Sequence, residues 1–184
     1  MKALLIKEHP EYRKDVGDLY ISAFPEDERP PLSYFFHVHD ITKDNNIIAY
    51  FDENQFIGFA SIVTYKDIVY VCYLAVKEDK RNKGYGTQIL KSIGDTYQNS
   101  VILICFEEVD EKYLDYDNRL KRMRFYNRNG YIDNGLKTKE SDVIYQSAYN
   151  GDHRVSYEEY THLFDLCYGN MAHKKYLKCV MECS

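Results

Sequence analysis

The apolar residues change period several times along the chain, and each change marks an element. Lys2 to Lys7 reads as a short first strand. From Glu11 to Phe24, Val16, Leu19, Tyr20 and Ala23 recur at helical spacing, and Pro25 ends the run. Pro30 and Pro31 break the chain before a shorter helix through Leu32, Phe35 and Phe36. Two strands follow, Asn46 to Phe51 and Phe56 to Thr64, on either side of a hairpin turn at Asp52-Glu53-Asn54-Gln55. Ile68 to Val76 is almost continuously apolar, as expected of a strand covered on both faces.

Gly84 and Gly86 then open a helical stretch in which Ile89, Leu90, Ile93 and Tyr97 share one face. Ser100 to Phe106 is another apolar strand, and a helix from about Asn118 to Asn129 stops at Gly130. Tyr131 to Lys137 and Val143 to Ala148 read as two further strands. Tyr157, Tyr160, Leu163, Phe164 and Cys167 predict a last amphipathic helix ended by Gly169, and Cys179 and Cys183 have the spacing of one face of a terminal helix. This is a mixed α/β (α+β) arrangement with a strand, glycine turn, helix and strand at its centre. Such a unit requires a crossover and a parallel strand pair. No repeat, linker or low-complexity tract divides it, so residues 1–150 read as one domain and 151–184 as a helical extension packed on it.

Composition narrows the function classes. With 184 residues, 45% hydrophobic and 29% charged, the chain can bury a core and is far from a disordered composition. Its 29 acidic against 24 basic residues give a net charge of -5, which argues against a general nucleic-acid coat. No apolar run approaches the roughly 20 residues that span a bilayer. Met1 to Pro10 contains Glu8 and lacks the order of a secretory leader. A cytoplasmic protein with no membrane partner is expected. The five cysteines fit reduced thiols: Cys72 and Cys105 lie within apolar strands, and no Cys/His set has zinc spacing, so no metal is expected.

The informative segment runs from Leu74, Ala75 and Val76 through Lys80, Arg81, Asn82, Lys83, Gly84, Tyr85 and Gly86 to Thr87. Glycines where a strand turns into a helix let the backbone approach a ligand and aim free N–H groups outward. With the helix dipole, these make an anion site. Lys80, Arg81 and Lys83 add positive charge there, against the acidic trend of the whole chain. A Walker loop is excluded because no lysine follows Gly86. The dinucleotide fingerprint is excluded because Ile89 stands where its third glycine would be. What remains is Arg-x-x-Gly-x-Gly after a buried strand ending Leu-Ala-Val.

That segment resembles the acetyl-CoA-binding motif of the GNAT N-acetyltransferase superfamily, Gln/Arg-x-x-Gly-x-Gly/Ala. Arg124 to Tyr131, with Phe125-Tyr126 running into Gly130-Tyr131, is similar to the superfamily's second signature. The two stand in the family's order with the strand Ser100 to Phe106 between them, and the close match covers Val69 to Tyr131. The resemblance implies an acyl-CoA N-acyltransferase fold, a mixed central sheet with splayed parallel strands flanked by helices. It also implies acetyl-CoA as co-substrate, with its pantetheine arm between the strands Ile68–Val76 and Ser100–Phe106. Main-chain groups of Leu74, Ala75 and Val76 would hold the arm. The diphosphate would lie on the amides from Asn82 to Thr87, with Arg81, Lys80 or Lys83 meeting the remaining charge. Asn118 and Arg122 are further cofactor-binding candidates.

By the same resemblance an amine attacks the acetyl carbonyl directly, and Tyr126 assists the departing thiolate. A phenol titrates near 10 and a thiol near 8.5, so full proton transfer between unperturbed groups runs about 2 kcal/mol uphill. Arg119, Arg122 and Tyr126 fall on nearly one helical face. Many family members carry asparagine where this chain has Arg119, and a glutamate base where it has Cys105. Strand alternation puts Glu107 on the face of Cys105, which makes Glu107 the first candidate base, with water as the alternative, and turns Glu108 away. Acidic and aromatic residues from Phe24 to Arg29 and from Tyr34 to His39 suit a cationic acceptor, or equally a helix break and core aromatics, the reading favoured for His37 and His39.

Three functions stay open. The first is acetyl transfer to a primary amine of a small molecule, peptide or protein. The second is a non-catalytic acyl-CoA sensor or interaction domain of the same fold. The third is a nucleotide- or nucleic-acid-binding domain using Arg119, Lys121, Arg122, Arg124 and Arg128, which the acidic total and the failed nucleotide fingerprints oppose. Edge strands, or the tail after Gly151, offer surfaces for a homodimer.

Overall fold

A computed structural model describes residues 1–26, 29–140, 143–169 and 181–183, with side chains described for all of these except 140 and 181–183. Its regular elements are β1 (Lys2–Leu5), α1 (Arg13–Ala23), α2 (Leu32–Ile41), β2 (Asn45–Asp52), β3 (Gln55–Tyr65) and β4 (Ile68–Val76). They continue with α3 (Tyr85–Thr96), β5 (Val101–Glu107), α4 (Tyr116–Arg128), β6 (Ile132–Glu140), β7 (Val143–Asn150), α5 (Tyr157–Tyr168) and β8 (Met181–Cys183). The strands form one mixed sheet in the order β1-β2-β3-β4-β5-β7-β6-β8. Among the described residues only β4 and β5 run parallel, joined by the α3 crossover that parallel pairing requires.

The continuous apolar strands are explained by cover on both faces. Val16, Leu19 and Tyr20 of α1, Phe35 of α2 and Tyr160, Leu163 and Phe164 of α5 pack on one face. Ile89, Leu90 and Ile93 of α3, with Met123, Phe125 and Tyr126 of α4, pack on the other. The expected hairpin turn is a two-residue turn with Glu53 and Asn54 at φ 46° and 65°, closing the Asp52–Gln55 pair. Helix α5 starts with a capping box between Ser156 and Glu159, a signal present in the sequence.

Two differences from the sequence reading concern the ends. The stretch from Glu11 begins with a 3-10 turn, Pro10–Tyr12, and becomes α-helical only at Arg13. A terminal helix carrying Cys179 and Cys183 is not what forms at Cys183, which pairs as strand β8 with Lys137 of β6; Cys179 lies outside the described residues.

The site depends on what happens in the middle of β4. Against β3, Tyr73 pairs with Ser61 and Val71 with Ile62, leaving Cys72 bulged out of the ladder. A bulge bends and twists its strand. Against β5, pairing runs from Ile68–Val101 to Val71–Ile104 and stops there. Beyond that position the two strands diverge, and the sheet opens.

Candidate active site

The opening between β4 and β5 is the mouth of a cavity of about 1090 Å³. Leu74, Ala75 and Val76 line it from β4, Cys105 to Glu107 from β5, and Arg122 and Tyr126 from α4. Phe24 and Glu26 close it beyond α1, and Phe164 and Tyr168 of α5 face it from the same side of the sheet. The contribution of α5 was not readable from the sequence, because its aromatic stripe looks the same whether it fills a core or walls a cleft.

From Val76 the chain passes through a 3-10 turn, Glu78–Lys80, into the start of α3. Asn82 and Gly84 both take left-handed backbone, at φ 61° and 83°. Among the described residues, none of the amides from Asn82 to Thr87 meets a backbone acceptor or a side-chain cap. Residues 81–84 are exposed, and a Cβ built on Gly84 would have nothing within 4 Å. Gly86 has a different reason: a Cβ there would lie 3.0 Å from the Phe125 ring, so its absence lets α3 close on α4. Tyr85 ties the helix start to the β2–β3 hairpin through a 2.7 Å hydrogen bond to Asp52.

The three cations of the turn are not equivalent. Lys80 donates to the Gln55 side chain at 2.6 Å and Lys83 to the Asp79 carbonyl at 2.9 Å. Arg81 donates to the Val76 carbonyl at 3.2 Å and is the one of the three that lines the cavity. Asn118 and Thr87 are exposed and are not among the lining residues.

Tyr126 is half-buried, its ring 5.2 Å from that of Phe106 and 5.9 Å from that of Tyr131. Burial pushes its phenol above the ordinary value, and the Arg122 charge pulls it back in part. Arg122 forms an ion pair with Glu107, inside the cleft. Glu108 faces a separate cluster, with Lys112 and Lys137 each at 2.9 Å and Tyr113 at 3.1 Å. Its hydrogen bonds, Lys137 first and Lys112 next, hold its carboxyl down at about 2. Arg119 belongs to that cluster rather than to Arg122: it binds Asp115 at 2.8 Å and the Glu108 carbonyl at 3.1 Å and lies 4.0 Å over the Tyr113 ring. Helical spacing brought Arg119, Arg122 and Tyr126 into one row, but it carried no information about their partners on other elements.

Cys72 donates to the Tyr70 carbonyl at 3.9 Å, and burial first, then the neighbouring Cys167 and Cys105 thiols, push its own thiol well up. His39 is buried, its Nδ1–H donating to the Phe35 carbonyl at 2.6 Å and its Nε2 accepting from Ser61 at 2.8 Å. Burial holds it neutral, down to about 4. His37 is exposed, and Asp27 and Glu28 lie outside the described residues. Among the described residues no group of three or more His, Cys, Asp and Glu side chains could hold a metal ion, and no helix is long and apolar enough to cross a membrane.

Residues 43–133 match the family model of the acetyltransferase (GNAT) domain. Among curated protein sequences none matches the chain. Solved structures of the same fold include one from Bacteroides thetaiotaomicron assigned to the GNAT acetyltransferases. It is 19% identical, covers 97% of this chain and 100% of its own, and has a TM-score of 0.73. An aminoglycoside 6′-N-acetyltransferase complexed with coenzyme A is 14% identical over 82% of this chain and 96% of its own, with a TM-score of 0.63. The ribosomal-protein-S18-alanine N-acetyltransferase of Escherichia coli is 10% identical over 85% and 96%, at 0.60. Likeness at such identities establishes the shared fold.

Proposed function

The chain belongs to the GNAT acetyltransferase family, and from that premise we propose that it transfers the acetyl group of acetyl-CoA directly to a primary amine of a small molecule, peptide or protein. One observation carries the reading. The strand that parts from β5 beyond Val71 runs on, through the turn, into a helix start whose amides have no acceptor.

The residues fit such a ligand. Unpaired amides at the start of a twelve-residue helix, beside a left-handed glycine with open space around it, suit a diphosphate. The free edge of Leu74, Ala75 and Val76 suits an extended amide-bearing arm, and a backbone N–H there would stabilise an oxyanion. Bound acetyl-CoA supplies the activated acyl group. Tyr126 hydrogen-bonds the departing sulfur, Arg81 meets phosphate charge, and the acceptor enters from the side of Phe24, Glu26, Phe164 and Tyr168. In this reading residues 1–150 form the transfer unit, and 151–184 an extension whose α5 walls the acceptor side. Glu107, the expected base, already holds Arg122, so accepting a proton would break that pair.

The experiment is release of free thiol from acetyl-CoA across a panel of primary amines, with acetylated product identified by mass. Amine-dependent release at catalytic turnover is expected. Tight acetyl-CoA binding with no release across the panel would favour the non-catalytic sensor instead.

A further inference from the structure

Resting on the acetyl-transfer reading, we infer that Arg122 holds the charge of the departing thiolate beside the Tyr126 hydroxyl, and that Glu107 is its positioning residue rather than the base. Arg122 stands one helical turn before Tyr126 on α4, so their side chains share a face, and both line the cleft. Its guanidinium is paired with Glu107 at the end of β5. The exposures are unequal in a useful way: the Glu107 side chain is 10% exposed and that of Arg122 43%. A buried anchor therefore fixes a cation that still reaches open space. The neighbouring cation of the row, Arg119, is committed to Asp115, the Glu108 carbonyl and the Tyr113 ring.

The chemistry needs such a cation. The amine nitrogen bonds to the acetyl carbon, the carbon–sulfur bond breaks, and its electron pair stays on sulfur. The proton lost by nitrogen goes to solvent, and the guanidinium keeps its own protons throughout. Burial raises the Tyr126 phenol and makes it a weaker proton donor than a free tyrosine. A fixed positive charge in a cleft stabilises the thiolate without any transfer. Glu107 cannot serve as both anchor and base, because a protonated carboxyl releases its partner.

Calorimetric titration with coenzyme A and with desulfo-coenzyme A, which keeps the nucleotide and phosphates but lacks the thiol, separates these roles at about pH 8.5, near the ordinary thiol pKa. Arg122→Gln is expected to weaken coenzyme A about tenfold, or roughly 1.4 kcal/mol, while leaving desulfo-coenzyme A within about twofold. That unchanged affinity also verifies the fold. The wild type should release a proton on binding coenzyme A, read from the dependence of heat on buffer, and Arg122→Gln should not. Glu107→Gln should show the same ligand selectivity at smaller size, and the double variant should bind no worse than Arg122→Gln alone. Equal weakening of both ligands would overturn the assignment, as would a Glu107→Gln variant that binds coenzyme A like the wild type. If the wild type binds neither ligand, the acetyl-CoA reading itself fails and this inference falls with it.

Discussion

Cys72 and Cys105 stand at the first position where β4 and β5 no longer pair, each one residue beyond the last register pair, Val71–Ile104. Cys72 is also the residue bulged out of the β3–β4 ladder. Two thiols thus sit at the point where the sheet opens, both lining the cleft. Small side chains suit this place under the proposed function, in which a larger pair would crowd the entry of the pantetheine arm.

The thiols supply a first prediction. Burial and its neighbours push the Cys72 thiol up, so little thiolate forms at neutral pH. Maleimide labelling of Cys72, followed by peptide mass, should be slow at pH 7 and rise steeply with alkalinity. Saturating acetyl-CoA should slow it at least severalfold; equal labelling with and without the ligand would remove the thiols from its path.

Gly84→Val should weaken acetyl-CoA binding more than tenfold by calorimetry. The substitution puts a β-branched residue at φ 83° and fills the open space beside the free amides. Backbone strain there costs about 1–3 kcal/mol, so a chain that still unfolds cooperatively is expected. Unchanged affinity would show that the ligand does not use this turn.

Gly86→Ala acts differently. Its Cβ would meet the Phe125 ring at 3.0 Å, so α3 and α4 must part slightly or the ring must turn. Overpacking of this kind costs about 1–3 kcal/mol. Urea unfolding should show that loss, and adding Phe125→Leu should recover part of it.

Tyr126→Phe keeps the ring contacts with Phe106 and Tyr131 and removes only the hydroxyl. Turnover should fall by about tenfold or more, with acetyl-CoA affinity nearly unchanged. An undiminished turnover number would take the hydroxyl out of the mechanism.

His39 gives a pH window for stability. Its pKa falls from 6.5 to about 4 on folding because burial disfavours the cation. The unfolded chain therefore binds the extra proton first, and stability is complete above about pH 6.5 and lost as pH falls toward 4. The full effect is about 3 kcal/mol. Denaturant midpoints should drop through that window in the wild type and much less in His39→Gln. Glu108, held down at about 2 by Lys137 and Lys112, loses its contribution only at lower pH, below the ordinary glutamate range.

The central strands, the α3 crossover and the glycine turn were legible because they depend on local chemistry: apolar continuity, left-handed glycine and the length of a crossover. The same-face relation of Arg122 and Tyr126 was legible from helical period alone. What the sequence did not disclose lies between elements. The pairing of Arg122 with Glu107 joins a helix to a strand end, and the commitment of Arg119 to the Glu108 side likewise depends on the tertiary fold. The bulge at Cys72 is likewise invisible in a strand whose apolar run is unbroken on both sides of it. The spacing of Cys179 and Cys183 suits one face of a helix, yet Cys183 joins a sheet edge, where pairing with β6 outweighs local pattern.

The central claim is that the free amides at the start of α3, and the edge of β4 that leads to them, are where the co-substrate lies. Amide chemical shifts recorded by NMR during titration with coenzyme A test it residue by residue. The largest changes at saturation should fall on Asn82 to Thr87 and on Leu74 to Val76, with β1 and β2 almost still. Saturation reached with those amides unmoved would contradict it.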